Sequence, residues 1–118
     1  MKPCKILIIG DDTLGREELE ILLAGNGYES FAVSDISDAV SYVKGQKADL
    51  ILWDFIKLRG NGPSVCERLR SVIDLPFLFV TDGDIGRKEV DALMASGDDF
   101  IERPYMGAAL LAKINSLL

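Results

Sequence analysis

The chain contains no histidine. That excludes imidazole-based catalysis, Ser- or Cys-centred triads and His-ligated zinc or haem, and it means the chain is not itself a phosphohistidine carrier. Cysteine is scarce as well. Cys4 and Cys66 stand far apart and neither belongs to a CxxC pair, so both are read as buried free thiols in a reducing compartment. Clusters of basic residues are missing: Arg87-Lys88 is the only adjacent Lys/Arg pair, and the net charge is −6, which argues against nucleic acid as a direct partner. No apolar run approaches the ~20 residues needed to cross a bilayer. The start, Met1-Lys2-Pro3-Cys4, lacks the apolar core and cleavage site of a signal peptide. Together these absences predict a cytoplasmic protein with no membrane partner. Neither a GxGxxG fingerprint nor a Walker phosphate loop occurs, so the usual signatures of dinucleotide and nucleotide binding are absent too.

What is present is a regular alternation. Hydrophobic residues make up 48% of the chain and charged residues 27%, the balance of a globular domain, and 118 residues suffice for one. Strand-like runs occupy Lys5–Ile9, Tyr28–Val33, Asp49–Trp53, Pro76–Val80 and Asp99–Ile101. Three of them, Ile6-Leu7-Ile8-Ile9, Leu50-Ile51-Leu52-Trp53 and Phe77-Leu78-Phe79-Val80, are continuously apolar. Such strands are buried on both faces, which implies a parallel sheet covered by helices.

Helical periodicity fills the intervals. Inward stripes are expected from Leu19, Leu22 and Leu23; from Ile36, Ala39, Val40 and Val43; from Val65, Leu69 and Val72; from Val90, Leu93 and Met94; and from Leu110, Leu111, Ile114, Leu117 and Leu118. Asn26-Gly27, Gly45 and Gly97 suit helix ends, and Gly62-Pro63 suits a helix start. The pattern is βα repeated five times. Right-handed crossovers then predict an α/β fold with a doubly wound, five-stranded parallel sheet, for which the strand order 2-1-3-4-5 is expected from fold statistics.

In such sheets a site forms at the carboxyl ends of the strands. Gly10-Asp11-Asp12 follows the first strand, Asp54 ends the third, Thr81-Asp82 follows the fourth, and Glu102-Arg103-Pro104 ends the fifth. Carboxylates, a hydroxyl and a cation are therefore expected on one edge. Like charges ~4 Å apart repel by about 4 kcal/mol at an effective protein-surface dielectric, so crowded aspartates need a cation, a metal or a raised pKa. Oxygen-only ligands favour a hard ion such as Mg²⁺. A carboxylate beside that ion, with a hydroxyl and a cation to receive phosphoryl oxygens, can accept an in-line phosphoryl transfer. A plainer reading stands beside this one: Asp11 or Asp12 caps the first helix.

These elements resemble the receiver domain of two-component response regulators. The resemblance rests on Ile8-Ile9-Gly10-Asp11-Asp12, on the run from Ala48 to Asp54, on Gly62, on Val80-Thr81, and on the run from Asp98 to Tyr105. It spans essentially residues 1–118, read as a single receiver domain with a flavodoxin-like fold. It implies that Asp54 is the phosphoacceptor. Asp12 is implied as a direct Mg²⁺ ligand and Asp11 as a water-mediated one, with the Ile56 carbonyl completing the metal site. Thr81 is implied to contact the phosphoryl group, and Phe100 to be the rotating switch aromatic. The implied partners are a sensor histidine kinase or His-phosphotransfer protein, and a downstream protein or an output domain. A homodimer through the fourth and fifth helices is a family expectation. The resemblance implies a signalling protein that at most catalyses its own phosphorylation and dephosphorylation.

Several residues depart from the family pattern. Arg103 stands where lysine is usual; it can still neutralise a phosphoryl oxygen, and its planar, bidentate guanidinium can also fork onto Asp54 or Asp12. Asp82 replaces the small residue after the switch hydroxyl, and Leu58 replaces a proline. Pro104 follows Arg103 where the family often has a cis bond that would aim the cation into the site. Three functions stay open: a phosphorylatable receiver, a pseudo-receiver that binds partners without taking phosphate, and an unrelated flavodoxin-like enzyme. Trp53 is expected to pack in the core, on the face opposite Asp54. Tyr105 and Met106 are assigned equally to packing or partner contact, and Gly60 and Gly62 to a lid or a plain turn. No output domain lies within the 118 residues; a stand-alone regulator and a piece of a longer protein both remain open.

Overall fold

The three continuously apolar runs form the centre of the sheet. In the computed structural model, which describes residues 4–10, 12–54, 68–82, 91 and 99–118, five parallel strands are ordered β2-β1-β3-β4-β5. The strands are β1 (Lys5–Ile9), β2 (Glu29–Val33), β3 (Leu50–Asp54), β4 (Phe77–Asp82) and β5 (Asp99–Arg103). The helices are α1 (Thr13–Ala24), α2 (Ile36–Gly45), α3 (residues 68–72) and α4 (Gly107–Leu117). The last corresponds to the fifth predicted helical stretch. The fourth stretch lies outside the described residues except for Asp91, which is helical. The doubly wound architecture and its strand order are those expected.

Alternation along the strands builds two cores. Leu7, Ile9, Ile51, Trp53, Phe77 and Phe79 face one side and pack with Ala39 of α2 and Leu69 of α3. Ile6, Ile8, Leu50, Leu52, Leu78 and Val80 face the other, with Leu19 and Leu23 of α1 and Leu110 and Ile114 of α4. Each central strand thus supplies side chains to both layers, which is why its sequence shows no polar alternation. Edge strand β2 does alternate in burial.

Local signals set the helix ends. The Asp12 and Asp35 side chains accept hydrogen bonds from the Gly15 and Asp38 amides, capping α1 and α2. After α1 the chain reverses at Gly27, whose φ of +84° suits glycine, and Tyr28 N–H returns to the Leu23 carbonyl.

The expectations failed in particular places. Val72 is 61% exposed, and Ile73, just past α3, is buried instead. Both follow Leu69 by about one turn, and the helix ends between them, so the departing chain selects the inward residue. Leu118, assigned to the inward stripe of the last helix, is 48% exposed because it is the C-cap rather than part of the packed face. Cys4 is a free thiol as expected but only partly buried, and Cys66 lies outside the described residues. Thr81 and Asp82, expected after the fourth strand, are inside it: the parallel ladder continues through Thr81 opposite Glu102 and Asp82 opposite Arg103.

Candidate functional site

Asp54 is the last residue of β3, opposite Val80 of β4 in the ladder, and it is 3% exposed. An ionised carboxylate so deep requires compensation. Arg103, the last residue of β5, supplies it: its Nη2 donates to Asp54 Oδ1 in a salt bridge. The guanidinium comes from two strands away, past β4. The Arg103-Pro104 peptide bond is cis.

Thr81 lies beside them on β4, 1% exposed, and its hydroxyl has no hydrogen-bond partner among the described residues. A buried hydroxyl without a partner costs about 1–3 kcal/mol, so this oxygen is open to a group that the described residues do not supply.

The fourth element is the β1–α1 junction. Gly10 follows β1, and a β-carbon there would sit 3.3 Å from Asp54 Cβ. At Gly15, in the first turn of α1, a β-carbon would fall 2.9 Å from Asp12 Oδ2 and 3.0 Å from Asp54 Oδ2. The Asp12 and Asp54 carboxylates therefore face the same small volume, a juxtaposition of like charges that favours a cation. Asp12 also caps α1, so the plainer reading of this residue holds alongside its position at the site.

Two neighbours were not singled out as site residues in the sequence. Arg16 donates from Nη1 to the Gly10 carbonyl at 2.7 Å and from Nη2 to Thr13 Oγ1 at 3.3 Å, placing a second guanidinium at the β1 end. Its spacing of one helical turn from Asp12 was the available signal. Burial raises the Tyr105 phenol above its ordinary pKa; the Arg103 charge opposes this shift, while the Asp54 and Glu18 charges reinforce it. Tyr105 thus feels both partners of the central ion pair.

The remaining expectations divide. Phe100 is partly buried and packs against the Trp53 side of the core, and its amide donates to Asp99 Oδ1 at 2.8 Å. Trp53 packs near Phe79, with ring centroids 6.2 Å apart, as a core residue. Asp82 ends β4 in register with Arg103. Asp11, Ile56, Leu58, Gly60 and Gly62 lie outside the described residues. Among the described residues no three His, Cys, Asp or Glu side chains gather to hold a metal; Asp12 and Asp54 make a pair.

Comparison with known proteins bears on the family and the fold. Residues 6–115 match the family profile of the response regulator receiver domain. The chain is 34% identical over 117 residues to Response regulator MprA of Mycolicibacterium vanbaalenii, an alignment covering 98% of this chain and 51% of that protein. It is 36% identical over 115 residues to Response regulator MprA of Mycobacterium leprae, covering 97% and 50%. The chain spans about half the length of the curated relatives it matches. Among solved structures, a two-component response regulator from Clostridium difficile gives a TM-score of 0.84 at 25% identity, covering 97% of this chain and 94% of that one. The signal receiver domain of a signal transduction histidine kinase from Syntrophus aciditrophicus gives 0.81 at 29% identity, covering 98% and 89%.

Proposed function

Because the chain belongs to the response regulator receiver domain family, we propose that it accepts a phosphoryl group on Asp54 from the phosphohistidine of a sensor histidine kinase or His-phosphotransfer protein. One observation carries this reading: a carboxylate 3% exposed at the end of the central strand, paired with Arg103 and flanked by the Thr81 hydroxyl, which has no hydrogen-bond partner among the described residues. In the transfer, an Asp54 oxygen donates a lone pair to phosphorus as the P–N bond breaks, and that bond's electrons return to the donor's imidazole. Arg103 and Thr81 are assigned to the phosphoryl oxygens.

The donor set fits Mg²⁺, since Asp12 and Asp54 offer only oxygen to one small volume. Asp11 and the Ile56 carbonyl complete the proposed ligands. The bound ion would neutralise charge on the carboxylates and on the incoming phosphoryl oxygens.

On this reading residues 1–118 are one receiver domain acting in the cytoplasm, a signalling protein that at most catalyses its own phosphorylation and dephosphorylation. Thr81 and Phe100 respond to the new group and alter the surface around β5 and α4. That surface meets a downstream protein, an output domain or a second copy of the chain. The Arg103–Asp54 salt bridge favours one competing reading, a pseudo-receiver whose acceptor is held by its own arginine.

The test is intact mass after incubation with a small-molecule phosphodonor, with and without Mg²⁺, with Asp54→Asn as control. A single Mg²⁺-dependent phosphoryl adduct, absent from the control, is expected. A folded protein that takes no phosphoryl group from this donor or from a phosphohistidine donor would instead be a pseudo-receiver.

A further inference from the structure

Glycine is a poor helix residue, because it gives up more backbone freedom than alanine and buries nothing. Gly15 nevertheless lies in the first turn of α1, three residues after the Asp12 cap. Its amide donates to Asp12 Oδ2 at 3.0 Å. Its absent β-carbon would lie 2.9 Å from that oxygen and 3.0 Å from Asp54 Oδ2. Real β-carbons essentially never come as close as the first distance, and the second is tighter than nine in ten of their contacts, so a side chain here must displace the Asp12 carboxylate, the Asp54 carboxylate or both. Asp12 is exposed and can swing outward, at the expense of its cap. Asp54 is buried and its other oxygen is engaged by Arg103, so its displacement would disturb the central salt bridge.

We propose that Gly15 is a positioning residue of the acceptor site: the missing side chain lets the Asp12 and Asp54 carboxylates face one space able to take a small divalent cation. This rests on the reading of Asp54 as acceptor. Gly15 carries no group that reacts; it acts through the placement of the two acids. The helix carries a suboptimal residue because the neighbouring strand end brings a carboxylate against it.

The experiment compares the full chain with Gly15→Ala and with Gly45→Ala, a helix-end glycine whose added β-carbon would meet nothing within 4 Å. In metal-free buffer, Gly15→Ala is expected to lower the urea midpoint, against the helix preference of alanine, while Gly45→Ala leaves it unchanged or higher. With MgCl₂ as titrant and Trp53 emission as signal, Gly15→Ala is expected to weaken binding by about tenfold, the equivalent of about 1.4 kcal/mol. Gly45→Ala should match wild type. A Gly15→Ala protein with wild-type urea midpoint and wild-type Mg²⁺ affinity would overturn the inference. If the wild type itself shows neither Mg²⁺ response nor adduct, the acceptor reading fails, and the metal-free midpoints alone decide whether Gly15 spaces the acids. If Gly15→Ala does not fold, Asp54→Ala is added: a restored cooperative transition supports the contact, and continued failure overturns it.

Discussion

Arg103 Nη2 donates to Asp54 Oδ1 across the width of one strand, joining the ends of β5 and β3 over β4. The partners are unequal: the Asp54 side chain is 1% exposed and the Arg103 side chain 29%. Removing either therefore has different consequences, because the arginine side chain is partly hydrated and the carboxylate is not.

Arg103→Ala should destabilise the fold by about 2–4 kcal/mol, somewhat below the range for a fully buried pair because part of the arginine is hydrated. Asp54→Asn keeps an oxygen acceptor and should cost only about 1 kcal/mol. Arg103→Lys should fall between them. Urea unfolding followed by Trp53 emission measures all three, and equal losses for Arg103→Ala and Asp54→Asn would contradict the assigned asymmetry.

Asp12 and Asp35 are both N-caps, and Asp12 also faces the Asp54 carboxylate. Asp35→Ala should cost about 1 kcal/mol, the usual value of a lost cap. Asp12→Ala should cost less in metal-free buffer, since the lost cap is offset by relief of repulsion with Asp54. Adding Mg²⁺ should stabilise the wild type and the Asp35 variant while leaving the Asp12 variant nearly unchanged. Thermal unfolding with and without the ion is the measurement.

Tyr105 should ionise late. Its folded pKa is raised above the ordinary 10.0 by burial, so the native state retains the phenolic proton where the unfolded chain has lost it. The associated stability is present below pH ~10 and disappears as pH rises through the folded pKa. Spectrophotometric titration should show a late phenolate component that Tyr105→Phe removes, and that variant should lose less stability over this alkaline range. A titration with no late component would refute the burial argument.

The core predicts a contrast within one face of the sheet. Phe79 is fully buried between Trp53 and Phe77, so Phe79→Ala should cost about 3–5 kcal/mol and alter Trp53 emission. Val72 is exposed despite its helical spacing from Leu69, so Val72→Ala should stay within about 0.5 kcal/mol of wild type. A large loss at Val72 would restore the inward stripe that periodicity implied.

Much of the architecture follows from local pattern. The four-residue apolar runs at Ile6, Leu50 and Phe77 demand burial on both faces, and parallel strands sandwiched by helices provide it. The aspartates before α1 and α2 mark helix starts because their oxygens accept the otherwise unpartnered amides. Asp54, Thr81 and Arg103 were legible as strand-end polar residues because a parallel sheet gathers its carboxyl ends on one edge.

The sequence by itself determined which residues reach that edge, since apolar runs and their polar terminations are properties of neighbours along the chain. Tertiary structure decided how they meet. Whether Arg103 pairs with Asp54 depends on strand order and on the depth of each side chain, and neither is encoded in local spacing. Whether the glycine at position 15 is an ordinary weak helix residue or room for two acids depends on the end of β3, 39 positions away along the chain, arriving beside α1. Pattern records what a segment must bury; only packing fixes which charges share the space that remains.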